Sequence, residues 1–136
     1  MRLRKISHNG KILAVYLRSR DWSNGLNFLG DEGDFVQVGL WDYHTGKKLG
    51  PHKHVQNIRN VEYTQEAVFV KQGSMRATVF SNAGKLIESV ELFPGDLIVM
   101  YAGGHGYEIL EDHTQVLEVK NGPYTGLDDR VHLDNP

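Results

Sequence analysis

Gly46-Lys47-Lys48-Leu49-Gly50-Pro51-His52-Lys53-His54, followed by eleven residues, Glu66, six residues and Gly73, is the stretch whose reading decides the fold. His52 and His54 stand one residue apart. On an extended strand they share a face, because side chains alternate with period two. Two imidazoles on the inner wall of a β-barrel can present a metal ion. A carboxylate from the next strand and a third His from a distant strand would complete a set of three nitrogens and one oxygen, and Glu66 and His105 supply them. Pro51 has no backbone donor, which puts it at the start or on the edge of the His strand.

Working outward, the chain reads as short strands punctuated by turns. Lys11 to Leu17 (KILAVYL) is apolar and rich in strand formers, with Asn9-Gly10 in front of it. Residues 19–34 carry Asn24-Gly25, Gly30-Asp31 and Gly33-Asp34, which predict a helical turn or an irregular flap. Phe35 to Tyr43 alternates with apolar groups on both faces, as expected of a strand covered on both sides. Ala67–Lys71, Met75–Phe80, Leu86–Phe93, Leu97–Tyr101, Tyr107–Leu110 and Gln115–Val119 follow as strands. Ser81-Asn82-Ala83-Gly84-Lys85 is read as a hairpin turn and Gly103-Gly104-His105-Gly106 as a tight bend. With no helical period in the chain, the class is all-β, a barrel or sandwich.

The order of Gly46, the His52-x-His54 pair, Glu66 and Gly73 resembles the first cupin motif, with a longer gap before the Glu. Pro94-Gly95-Asp96 through Gly103-Gly104-His105 resembles the second. There Tyr101 stands where the motif has Pro, His105 arrives one residue early, and Ile109 stands where the motif has Asn. His52-Lys53-His54, Thr64-Gln65-Glu66, Gly103-Gly104-His105-Gly106 and Glu118 to Tyr124 are similar to a group of small single-domain bacterial cupins. Members of that group often sit among genes for nucleotide sugars or surface polysaccharide.

The resemblance implies a cupin jelly-roll β-barrel of two antiparallel sheets over residues 35–130. It leaves an N-terminal strand and flap (1–34) packed on the barrel or on a second subunit, and a tail (131–136). It also implies a divalent metal ion on His52, His54, Glu66 and His105. Imidazole and carboxylate donors suit Zn, Fe, Mn or Ni without separating them. Open positions on such an ion would polarise a carbonyl or enolate, with Tyr101, Tyr107 and Glu108 as candidates to move the proton. Glu118 and Lys120 share one face of their strand, which is either the cavity wall or a solvated surface.

Composition narrows the partners. The chain has 136 residues, one domain's worth, and a formal charge of −2. Nothing in that balance calls for a basic face, so nucleic acid is an unexpected partner. Without cysteine the chain has no disulfide, thiolate ligand or thiol nucleophile. No apolar run approaches the roughly 20 residues that span a bilayer, and the basic N-terminus is followed by polar residues, so no membrane partner and a cytoplasmic location are expected. His8, His44, His113 and His132 fall near turns or ends and read as ordinary surface residues.

Two functional classes fit. One is an enzyme acting on a small oxygenated or sugar-type molecule by metal-assisted isomerisation or epimerisation, with an iron-dependent dioxygenase as a variant on the same site. The other is a non-catalytic, metal-dependent module that binds a sugar or small ligand. The apolar residues of the first 34 positions need cover, which predicts a homodimer that exchanges an N-terminal strand.

Overall fold

A computed structural model describes residues 1–126 and 129–133. Residues 127 and 128, near the end of the expected barrel, and 134–136, in the expected tail, lie outside the described residues. The described chain is all-β, with ten strands in antiparallel sheets and one short 3₁₀ turn at Ser19–Asp21. None of its helices is long and apolar enough to cross a membrane.

The strands are β1 (Arg4–His8), β2 (Lys11–Leu17), β3 (Gly25–Leu29), β4 (Val38–Asp42), β5 (Glu66–Gln72), β6 (Met75–Phe80), β7 (Leu86–Leu92), β8 (Leu97–Met100), β9 (Gly104–Ile109) and β10 (Gln115–Lys120). They form a five-stranded sheet, β1-β2-β8-β5-β10, a three-stranded sheet, β7-β6-β9, and a two-stranded ribbon, β3-β4. The described strands close no barrel: β9 and β10 each keep an edge without a partner strand.

Period two decides what each strand buries. In β5, Val68 and Val70 face Met75, Ala77 and Val79 of β6 and Val90 and Leu92 of β7, with Ile98 and Met100 of β8 beside them. This is the core between the two larger sheets. The alternate residues Ala67 of β5 and Leu97 and Val99 of β8 belong to a second cluster on the other face of the five-stranded sheet, with Val15, Leu17, Leu29, Val36 and Leu40. All four residues of β8 are buried, because both faces of that central strand are covered. β10 is the opposite case, exposed at every position.

The sequence reading needs correction in four places. The flap at 19–34 contains a regular strand, β3, paired with β4. The strand expected over Phe35–Tyr43 begins only at Val38, because the N–H groups of Phe35 and Val36 both donate to the side-chain carbonyl of Gln65, at 2.6 and 3.0 Å. The bend expected at Gly103–Gly106 is confined to Gly103 at φ 72°, and Gly104 already pairs with Phe80 in β9. The largest departure is the His stretch, which is not a strand. From Tyr43 to Gln65 the chain has no regular structure beyond a turn at Thr45-Gly46, and every residue from Trp41 to Thr64 is exposed. The N-terminal strands, in contrast, belong to their own chain's sheet: β1 pairs with β2, and β2 with β8.

Candidate functional site

The inward faces of β5, β9 and β10 meet at one end of the space between the sheets. Glu66 opens β5 and continues the inward row of Val68 and Val70, so its carboxylate projects where the core ends. On β9, His105 lies opposite Val79 and Tyr107 opposite Ala77, both inward positions of β6. Lys120, the last residue of β10, lies directly across from Glu66.

These side chains converge. The Tyr107 hydroxyl donates to Glu66 Oε1 at 2.7 Å, and His105 Nε2 meets the same oxygen at 2.9 Å. Lys120 Nζ lies 3.8 Å from Glu66 Oε2 and 2.9 Å from Glu118 Oε1. Glu66 itself is 5% exposed, whereas the His105 side chain is 32% exposed. A buried carboxylate thus holds a solvent-facing imidazole.

Electrostatics follow from that packing. Burial pushes the Glu66 carboxyl up, but the bonds and charge from His105, the Tyr107 hydroxyl and the Lys120 ammonium outweigh it and hold the group below its ordinary value. Tyr107 is pushed well above the usual phenol range, first by burial and then by the Glu66 charge, so it stays a donor. Lys120 is raised, chiefly by its bond to Glu118, and keeps its charge. His105 meets Glu66 through Nε2, so Nδ1 is the ring nitrogen that Glu66 does not engage.

The seven residues singled out in the sequence separate into groups. Glu66, His105 and Tyr107 come together. His52 and His54 lie against each other, ring centroids 5.2 Å apart, on the exposed segment, with His52 Nδ1 2.9 Å from Gly50 O. Tyr101 follows β8 on the far face of the five-stranded sheet, in the cluster with Val99 and Leu97. Its buried hydroxyl has no partner among the described residues, and burial followed by the charges of Asp34 and Asp31 pushes its pKa up. Glu108 points away from the core and pairs with Arg76 at 2.6 Å. Lys120, whose face the sequence left open, turns inward beside Glu66. The alternation of Glu118 and Lys120 around Val119 was the available signal, and only the pairing of β10 with β5 gave it a direction.

The donor set that the cupin resemblance implies is therefore divided within one chain. Among the described residues, no group of three or more His, Cys, Asp or Glu side chains is placed to hold a metal ion. Glu66 and His105 alone, already bonded to each other, do not fit such an ion without further donors.

No family model, curated protein or solved structure matches this chain. The functional argument therefore rests on the residues themselves.

The arrangement has the parts of a proton-transfer site. It combines an imidazole oriented through Nε2, a buried carboxylate that stabilises the imidazolium once formed, and an ammonium that can face a developing negative oxygen.

Proposed function

We propose that this chain is a cupin-type enzyme that isomerises or epimerises a small oxygenated molecule of the keto-sugar class at the Glu66–His105–Tyr107–Lys120 cluster. The observation that carries the reading is the shared oxygen, Glu66 Oε1, which meets both the Tyr107 hydroxyl and His105 Nε2 and leaves His105 Nδ1 outside that contact. The cupin resemblance and the two facing antiparallel sheets support a jelly-roll ancestry.

In this reading His105 Nδ1 takes the proton from the carbon next to the substrate carbonyl. The electron pair of that C–H bond moves onto the carbonyl oxygen as an enolate, and the Lys120 ammonium faces the new charge. Glu66 stabilises the imidazolium. For isomerisation the imidazolium returns the proton to the former carbonyl carbon while the hydroxyl proton of the first carbon moves to the former carbonyl oxygen; for epimerisation water protonates the opposite face of the same carbon and the imidazolium gives its proton up to solvent. Tyr107 holds Glu66 in place and keeps its proton. These steps are assigned to side chains of the cluster alone.

The test is solvent exchange. A nucleotide-linked keto hexose in deuterium oxide should take up deuterium beside its carbonyl when the protein is added, as followed by proton NMR. His105→Ala should slow the uptake by about 10²–10⁴-fold. Uptake that His105→Ala leaves unchanged sinks the enzymatic reading. Saturable binding of the sugar with no uptake would favour the non-catalytic binding module.

A further inference from the structure

The described chain carries both an unpaired strand-like segment and unpaired strand edges. Between Lys48 and Glu62, no backbone–backbone hydrogen bond forms among the described residues. Yet the segment is not composed like a solvated loop. Val55 is 79% exposed, Ile58 95% and Tyr63 68%, a density of open apolar side chains that a lone chain leaves uncompensated.

The surface area gives the scale of what is missing. A folded monomer of 15.4 kDa exposes roughly 7,200 Å². This chain exposes 9832 Å², an excess of roughly 2,600 Å². Obligate interfaces run from roughly 2,000 to more than 5,000 Å² in total over both partners, so the excess corresponds to one side of an interface at the upper end of that range.

The receiving surface is equally specific. β10 has one free edge and no buried residue. On its outer face, Leu117 and Val119 border an apolar groove of about 280 Å³ that also takes in Trp22, Gly39 and Phe69. On its inner face stand Glu118 and Lys120, next to the site. Charge agrees with this pairing. From Gly46 to Val61 the segment carries Lys47, Lys48, Lys53 and Arg59 and no acid, while β10, in which Glu118 and Lys120 pair, follows a turn that holds Glu111 and Asp112.

We propose that the Tyr43–Thr64 arm of a second copy of this chain adds to the free edge of β10, filling the apolar groove and presenting its His52 and His54 to the Glu66–His105 site. The partner is a second copy because the arm and the edge that suits it belong to the same sequence, so two chains satisfy each other reciprocally about a two-fold axis. An arm in its own chain leaves β5 at Gln65, whose N–H is held by the side chain of Asn121 just past β10. It would have to double back over β10 to reach that strand's far edge. Strand period fixes the faces. With His52 and His54 turned to the site, Lys53 and Val55 fall on the side of Leu117 and Val119. The docking stands independently of the reaction proposed above; the role of the partner's imidazoles rests on it.

The chain has no cysteine, so cross-linking can be placed at will. Val55→Cys and Leu117→Cys replace exposed side chains and should leave each chain folded. Refolded together and treated with a short bis-maleimide, the two variants should give a cross-linked dimer that neither gives alone. A single chain carrying both substitutions should also join to its neighbour, and light scattering on the unmodified protein should report a dimer. A monomer, a cross-link confined within one chain, or a dimer without this cross-link would each overturn the docking. For the His pair, His52→Ala/His54→Ala chains refolded with His105→Ala chains should recover about a quarter of the wild-type deuterium uptake, because half the random dimers hold one complete site. Wild-type uptake by the His52→Ala/His54→Ala chains on their own removes the imidazoles from the site and leaves the interface standing, whereas inactive chains that show no recovery on mixing would overturn their delivery from the partner.

Discussion

Lys120 stands directly opposite Glu66 in the register of β10 on β5, its ammonium 3.8 Å from one carboxylate oxygen, while Glu118 on the same strand holds that ammonium at 2.9 Å. The pair joins the end of an exposed edge strand to the one buried carboxylate of the site. Lys120→Met keeps the stem and removes the charge. It should lower the uptake rate by about 10-fold or more through lost enolate stabilisation, with a smaller change in apparent substrate affinity. Steady-state rates against substrate concentration check the split.

Glu66 makes stability depend on pH in one direction. Its folded-state pKa lies below the ordinary value of 4.5, so the folded protein binds that proton less readily than the unfolded chain does. The resulting stability is complete above pH 4.5 and is lost as pH falls through the lower folded value. Urea midpoints between pH 7 and pH 3 should fall more steeply in the wild type than in Glu66→Gln, which has no carboxyl to protonate there. Equal slopes in the two proteins would show that the carboxylate contributes no such linkage.

Tyr107→Phe removes a hydroxyl that donates to a buried charge and leaves the ring in place. A hydrogen bond to a charged group contributes about 1.5–3 kcal/mol, so chemical denaturation should register a loss of that order. Because Tyr107 acts through Glu66, uptake should fall by less than in His105→Ala, with its pH profile displaced as the carboxylate's pKa rises. A fall as large as that of His105→Ala would make the hydroxyl a direct participant.

Asp96 locks the N-terminal segment to the turn before β8. Its carboxylate accepts from Arg18 at 2.7 Å, from the Ser19 N–H at 3.0 Å and from the Phe93 N–H at 2.9 Å, and it is buried. Asp96→Ala strips three donors of their acceptor and should cost about 3–5 kcal/mol, measured by urea unfolding. Asp96→Asn, which keeps one carbonyl oxygen, should recover part of that loss.

Gly103 ends the connection from β8 with φ at 72°, and a Cβ there would collide with the carbonyl oxygen of Phe80. Gly10 has a similar φ of 76° with open space around it. Left-handed backbone alone costs an L-residue about 1–2 kcal/mol, so Gly10→Ala should show that amount and Gly103→Ala distinctly more. As Gly103 immediately precedes β9, its variant should also disturb the aim of His105 and slow uptake. Matching unfolding midpoints for the two variants would show that the collision is relieved freely.

By itself the sequence determined the all-β class and most strand positions. Lys11–Leu17 and Met75–Phe80 were readable to the residue, because alternation and turn signals are local properties of the chain. It also singled out Glu66, His105 and Tyr107 as residues suited to one site. Tertiary structure decided what period two cannot specify, namely which face looks inward. Tyr101 and Glu108 carry suitable chemistry, but the pairing of β8 and β9 with their neighbours turns them out of the space where Tyr107 and Glu66 meet. The same pairing brought Lys120 in. The His52-x-His54 motif shows the remaining limit: its spacing is that of a strand, but a strand exists only where its backbone groups are paired, and among the described residues this segment makes no backbone pairing.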